Sequence, residues 1–244
     1  MHVKAVFLDL DGTLLNYDGA AWAQTVRAVC ARLGRADHSL DTGRLGTVYT
    51  ELSTSYFRAF EASGEQTADG HAIWRNLWRT ALAECGSADE AVADAATTAY
   101  AAERADRYEL FADVLPTLAL LRDQVGALVL ITNGPGSTQR HKASSTGLTE
   151  LLDAVIISGE AGVAKPDPAI FALAAEAAGV PLAAAWHVGD SLAADVAGAR
   201  NASLGAGVWL DRSGRAGAGS SSQLDAPRPD YAIASLSELP ALLR

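Results

Sequence analysis

The sequence predicts an α/β fold: a Rossmann-like parallel sheet with an all-helical block inserted after its first strand. Three observations carry this. From residue 110 onward short apolar runs alternate with helix-length segments, a rhythm that requires parallel pairing with cover on both faces. A separate apolar run, Val6-Phe7-Leu8, stands near the start of the chain. Between the two, residues 20–108 are Ala-rich and contain no strand-like run.

The first strand covers residues 4–9 and leads straight into Asp9-Leu10-Asp11-Gly12-Thr13. Side chains alternate along extended backbone, so Asp9 and Asp11 start on one side and can converge on one small volume. Two carboxylates that close repel unless a cation neutralises them or one holds a proton. The plain alternative is a buried strand followed by an ordinary Asp-Gly turn.

The Ala-rich block then reads as helices broken near Gly34, at 64–70 and at Gly86-Ser87. Helical spacing shows in Trp22, Val26, Val29 and Leu33, and again in Ile73, Leu77 and Trp78. Ser87-Ala88-Asp89-Glu90 reads as an N-cap with an acid in its first turn. Beyond it, a helix around 114–124 leads to a strand at 127–132, and one around 137–146 leads to a strand at 154–157. A helix at 168–178 leads to a strand at 185–189, and one at about 192–200 to a strand at 205–210. Residues 211–229 are rich in Gly, Ser and Ala without periodicity and read as a surface loop. A short strand near 231–234 and a helix near 237–243 complete the core. The domain reading is therefore a catalytic core of residues 1–15 and 109–244, with 16–108 as a helical insertion.

The 244 residues carry a formal charge of −10, with 49% hydrophobic and 20% charged residues. That balance argues against nucleic acid as the principal partner, because such binding relies on clustered Lys and Arg. A small anionic ligand remains compatible if a metal, a lysine or backbone N–H groups meet its charge locally. The two cysteines, Cys30 and Cys85, form no CxxC pair and no zinc spacing, and read as thiols in a reducing cytosol. No signal-peptide pattern opens the chain and charged residues interrupt the apolar stretches, so no membrane span and a cytoplasmic location are expected.

In an open parallel sheet the ligand crevice lies at the carboxyl ends of the strands, near the switch in strand order. The polar punctuation falls at those ends. The first strand ends in Asp9 and Asp11, and the second in Thr132-Asn133-Gly134. The third precedes a loop with Lys165-Pro166-Asp167-Pro168, and the fourth ends in Gly189-Asp190-Ser191 with Asp195 following. Taken singly, each is also an ordinary turn, an exposed loop or a helix cap. Together, in order, they make a constellation.

Here the chain resembles the haloacid dehalogenase superfamily in its phosphatase branch, over nearly its whole length. The carriers are DLDGT at 9–13, TNG at 132–134, KPDP at 165–168 and GDSLAAD at 189–195. The helical insertion looks like the family's C1 cap, and the texture is closest to nucleotidase-like and acylneuraminate-phosphatase-like members. The resemblance implies Asp9 as a nucleophile forming an aspartyl-phosphate, with Asp11 as acid toward the leaving oxygen and then base for water. It implies Mg²⁺ between the carboxylates of Asp9 and Asp190 and the carbonyl of Asp11. Thr132, Asn133 through its N–H, Gly134 and Lys165 would hold the phosphoryl group, with Thr13, Ser191 and Asp195 in support. The chemistry is consistent: a hard, partly hydrated cation prefers oxygen ligands, and phosphoryl transfer is helped by a metal, an ammonium and oriented donors.

The implied substrate is a small phosphomonoester, a nucleoside monophosphate or sugar phosphate, with the protein a monomer or homodimer. A phosphomutase on the same core and an inactive phosphate-binding or switch module are the alternatives. Dehalogenases of the superfamily lack the second aspartate and need no metal, so Asp11 with Asp190 disfavours that chemistry. In the insertion, Tyr17, Asp18 and Trp22 stand within reach of the site. Trp74 and Trp78, four apart, read as the block's own core, with Arg75 and Arg79 on a solvated face. His187, inside a strand, reads as a packed, hydrogen-bonded residue rather than a ligand.

Overall fold

The computed structural model describes residues 2–16, 19–63, 69–212 and 227–243, and in it the six apolar runs pair as one parallel sheet. The strands are β1 (Ala5–Leu8), β2 (Ala127–Thr132), β3 (Ala154–Ile157), β4 (Ala185–Gly189), β5 (Ala206–Leu210) and β6 (Tyr231–Ile233), in the order β3-β2-β1-β4-β5-β6. Every pairing is parallel, and β1 sits between β2 and β4, with Leu8 opposite Leu130 and Val188. Strand order reverses at β1, which opens the crevice beside its carboxyl end.

Alternation along the strands builds two apolar layers. Val6, Leu8, Leu128, Leu130, Val188 and Val208 face α5 (Val114–Arg122) and the C-terminal helical turns. Ala5, Phe7, Val129 and Ile131 face the opposite way, onto Ile170 and Phe171 of a helix at Pro168–Ala178. That helix fulfils the sequence expectation: Asp167 caps it by accepting from the Ala169 N–H at 2.8 Å, and Pro168 follows at its first position.

Four helices intervene between β1 and α5: α1 (Gly19–Ala36), α2 (Thr42–Ser63), α3 (Gly70–Glu84) and α4 (Glu90–Ala105). They enclose an apolar centre of their own, in which Tyr49 stacks on Trp78 with ring centroids 3.8 Å apart. Trp74 and Trp78 are core residues, while Arg75 is half-buried and Arg79 exposed; Arg75 bonds Glu90 and Asp94, and Arg79 bonds Asn76. The break expected near Gly34 falls after Ala36. Gly34 serves packing instead, since a Cβ there would meet Thr42 Cγ2 at 2.5 Å. The cap of α4 is Asp89 rather than Ser87, accepting from the Ala91 N–H. The chain leaves and rejoins the sheet side by side: Leu15 bridges Leu110, the Asn16 N–H donates to Glu109 O at 2.7 Å, and Phe111 N–H to Leu14 O at 3.0 Å.

Two short helical turns and one longer helix follow β2 and β3: α6 (Gly136–Ser145), α7 (Leu148–Leu151) and α8 (Ser158–Ala161). The single helix expected at 192–200 is two pieces, a wide π turn at Leu192–Val196 and then a helix at Ala197–Asn201. Most of the loop expected at 211–229, together with Tyr17 and Asp18, lies outside the described residues.

Candidate active site

The turn after β1 is wound tightly around one acceptor: Leu10 O receives the N–H groups of Thr13, Leu14 and Leu15 at 3.3, 2.9 and 2.8 Å. Gly12 makes this possible with φ +80°, and a Cβ on it would strike Asp190 Oδ2 at 2.5 Å. The Asp190 carboxylate is thus pressed against the Asp11–Gly12 backbone, across from Asp9. Asp9 itself is 7% exposed and anchored through its N–H to Val188 O at 2.9 Å.

A buried ion cluster lies beneath. Lys165 Nζ donates to Asp9 Oδ1 at 2.6 Å, Asp195 Oδ1 at 2.7 Å and Ile131 O at 2.9 Å, which uses all three of its protons. Asp195 also accepts from His187 Nε2 at 2.8 Å and from the Ser191 N–H at 3.0 Å. The π turn explains how Asp195 gets there. Ser191 O accepts from both Asp195 and Val196 N–H, and the widened turn swings the Asp195 carboxylate under Gly189, where a Cβ would lie 2.2 Å from its Oδ2. The Ser191 hydroxyl caps the same turn through the Ala194 N–H at 3.1 Å.

One ammonium cannot balance two buried carboxylates equally. Burial favours the neutral form of Asp195, but Lys165 and the His187 hydrogen bond outweigh it and hold its pKa far below the usual carboxylate range. Asp9 is left under-compensated: burial pushes its pKa up to about 7, with Lys165 opposing and Asp195 and Asp11 adding to the rise. Burial works against the charge on Lys165, yet Asp195 and Asp9 together raise its pKa. Burial lowers the pKa of His187, so its neutral ring donates Nε2–H to Asp195. Burial and the neighbouring Asp195 raise Asp190.

The loops from β2 and β3 are tied together by Asn133, whose amide donates to Lys165 O and accepts the Lys165 N–H, both at 2.9 Å. Gly134 (φ +136°) donates its N–H to Ser158 Oγ at 2.9 Å. Thr132 is buried at the end of β2, and its hydroxyl accepts from Gln139 Nε2 at 2.6 Å. Thr13 is fully buried, its carbonyl accepting from Arg212 Nη2 at 2.8 Å. The carboxylates of Asp9, Asp190 and Asp195 offer oxygens within 4.8 Å of one another. All ten residues singled out from the sequence therefore lie at the carboxyl-end side of the sheet, Thr132 closing β2 and Asp195 on the π turn.

The structure adds residues that the sequence did not suggest. Lys142 Nζ lies 2.8 Å from both oxygens of Asp11, and Gln139 Nε2 lies 2.7 Å from Asp11 Oδ2. Burial favours the neutral acid at Asp11, but Lys142 and the hydrogen bonds from Lys142 and Gln139 prevail and lower its pKa. Above this point, at the junction with the helical block, Arg104 bonds the hydroxyls of Tyr100 and Tyr108 at 3.0 Å each. His187 is packed and hydrogen-bonded, as its strand position suggested, but its partner is a site carboxylate. An apolar stripe marks a core helix; α6 lacks one, and that absence was the available signal that its inward face does polar work.

A family profile described as haloacid dehalogenase-like hydrolase matches residues 3–203. The chain is 32% identical over 246 aligned positions to the N-acylneuraminate-9-phosphatase of Mus musculus, covering 99% of this chain and 94% of that protein. It is 41% identical over 136 positions to the phosphoserine phosphatase of Thermus thermophilus, covering 56% of this chain and 53% of that one. A solved 2-haloacid dehalogenase from Pseudomonas syringae pv. Tomato DC3000 superposes with a TM-score of 0.71 at 28% identity, covering 99% and 98% of the two chains.

Proposed function

The chain belongs to the haloacid dehalogenase-like hydrolase family and is a phosphoric monoester hydrolase of small phosphorylated substrates; from that premise we propose a Mg²⁺-assisted, two-step mechanism through Asp9. Asp9 attacks phosphorus, the bond to the leaving oxygen breaks, and Asp11 delivers a proton to that oxygen. Water then attacks the aspartyl-phosphate, Asp11 takes up its proton, and the Asp9–phosphorus linkage breaks to release phosphate. The observation that supports this reading is the buried contact of Lys165 with Asp9, 2.6 Å. It orients the carboxylate and supplies a positive charge where a dianion must approach.

The donor set fits a hard divalent ion. Asp195 is committed to Lys165, His187 and Ser191, which leaves the carboxylates of Asp9 and Asp190 and the carbonyl of Asp11 to hold Mg²⁺, an oxygen-only set. When bound, the ion supplies charge neutralisation for the phosphoryl oxygens. The chain's own groups do the rest. Lys165 keeps Asp9 oriented, Asn133 fixes the Lys165 loop, and Thr132 and the backbone N–H of Asn133 hold the phosphoryl oxygens, the Gly134 N–H being committed to Ser158. Lys142 lowers the pKa of Asp11, which favours the form that accepts a proton from water; a bound phosphate dianion raises its proton affinity for the first step.

Residues 16–108 act as the cap that covers the site and chooses the organic part of the substrate. We read that part as a sugar phosphate or nucleoside monophosphate, and full-length similarity to N-acylneuraminate-9-phosphatase favours the sugar side. Asp11 together with Asp190 favours phosphoryl transfer over dehalogenation. Among the described residues no helix is long and apolar enough to cross a membrane. The test is phosphate release from a panel of N-acylneuraminate 9-phosphate, hexose phosphates and nucleoside monophosphates with Mg²⁺. Asp9→Asn is expected to abolish turnover, and Asp11→Asn to slow it by at least ~10²-fold. Full activity in a clean Asp9→Ala preparation would refute the nucleophile assignment.

A further inference from the structure

An acid and base on a mobile side chain is useful only if its carboxylate is held toward the leaving oxygen; misplacement by an ångström can cost about 10²-fold. Asp11 lies on a turn, its side chain 41% exposed, with single-bond freedom to rotate away. What restrains it comes from one helix. Lys142 Nζ meets both carboxylate oxygens at 2.8 Å from a side chain only 7% exposed. Gln139, one turn earlier and on the same helical face, donates from Nε2 to Asp11 Oδ2 at 2.7 Å and to Thr132 Oγ1 at 2.6 Å. Among the described residues no other group bonds the Asp11 carboxylate. The helix α6 is itself immobilised: Ala143 is fully buried in the core, and the Ser137 hydroxyl accepts the Gly70 N–H of the helical block at 3.0 Å.

We propose that Gln139 and Lys142 are positioning residues that aim Asp11, acting on the reaction through that carboxylate rather than through the phosphoryl group. The proposal rests on the reading of Asp11 as acid and base. The geometry favours aiming over substrate binding. Two of the three Lys142 protons are directed at Asp11, and Gln139 spans Asp11 and Thr132 with one nitrogen, so the pair fixes the spacing between the acid and a residue of the phosphoryl-holding loop.

The two roles separate by leaving group. p-Nitrophenyl, phenyl and benzyl phosphate have similar shape but leaving oxygens of rising basicity, so the need for a proton from Asp11 grows along the series. If the pair aims Asp11, Lys142→Met and Gln139→Leu lower kcat/KM, which reports the first step alone and not the shared hydrolysis of the intermediate, by less than ~3-fold on the first ester and by more than ~30-fold on the last. In an Asp11→Asn background Lys142→Met then adds less than ~2-fold, because its partner is already gone. Equal losses across the series, or full additivity with Asp11→Asn, would overturn the proposal and make these residues substrate ligands or structural supports. Thermal melts screen the variants for folding, and Gln139→Leu keeps the test available should Lys142→Met fail to fold. If Asp11→Asn itself shows no dependence on leaving group, the acid assignment falls; if it does and the pair's variants do not, only the aiming role falls.

Discussion

Replacing Asp195 with asparagine probes the buried cluster without changing its shape. Asp195 Oδ1 accepts from Lys165 Nζ and His187 Nε2, and Oδ2 from the Ser191 N–H. An amide has one oxygen, so it must turn its NH₂ toward either Ser191 or the Lys165–His187 pair. Leaving one buried donor unsatisfied costs about 1–3 kcal/mol, and losing the charge on hydrogen bonds to Lys165 about 1.5–3 kcal/mol more. Asp9 remains as a counter-ion for Lys165, which keeps the total at about 4 kcal/mol, the middle of the range for a broken buried pair. At about 2–4 °C per kcal/mol for a chain of this size, Tm falls by about 8–16 °C. The measurement is thermal unfolding by circular dichroism in EDTA at neutral pH. The pH dependence has a definite sign. A carboxylate whose native pKa is depressed stabilises the fold fully above its unfolded value of about 3.9, and that stability is lost as pH falls through the native value. The gap between wild type and variant therefore narrows as pH drops below about 4. A Tm within ~3 °C of wild type at neutral pH, on the same conversion, would refute the reasoning.

Two further outcomes follow from named contacts. Mg²⁺ at a hundred times its Kd raises stability by about 2.7 kcal/mol, read as an increase in Tm that Asp190→Asn abolishes; activity that survives exhaustive EDTA would contradict the metal site. Asp113 accepts from Arg212 Nη1 and Nη2 at 3.0 and 2.9 Å, from Ser235 Oγ at 2.7 Å and from the Leu236 N–H at 2.8 Å. Asp113→Ala should therefore cost roughly 2–4 kcal/mol, measurable by urea unfolding, and an unchanged midpoint would show the network to be idle.

The strands and the four loop motifs were legible because their information is local. A strand buried on both faces is a short apolar run, and the residues that end it are polar by contrast. Elements misread by a residue or two turn on tertiary contacts. The break near Gly34 falls two residues on, after Ala36, because Gly34 itself packs against Thr42, and Asp195 needed a widened turn that no propensity announces. Gln139 and Lys142 escaped for a deeper reason. On a helix as polar as α6, either side chain reads as solvated; only the presence of Asp11, more than 120 residues away in the chain, makes that face an interior one. His187 was read correctly as packed, but that its acceptor would be Asp195 depends on the same turn.

The paired stretches at 14–16 and 109–111 have a consequence for how such a protein can change. A segment that departs from the sheet and returns to it through neighbouring, mutually bonded stretches of backbone is a branch rather than a link in the main thread. Its length, packing and lining can be rewritten, or a foreign branch grafted at the same stem, while the order of the sheet and the loops at its edge stay as they are. If the block chooses the substrate as proposed, chemistry and selectivity are then separate inheritances, joined by two short runs of backbone.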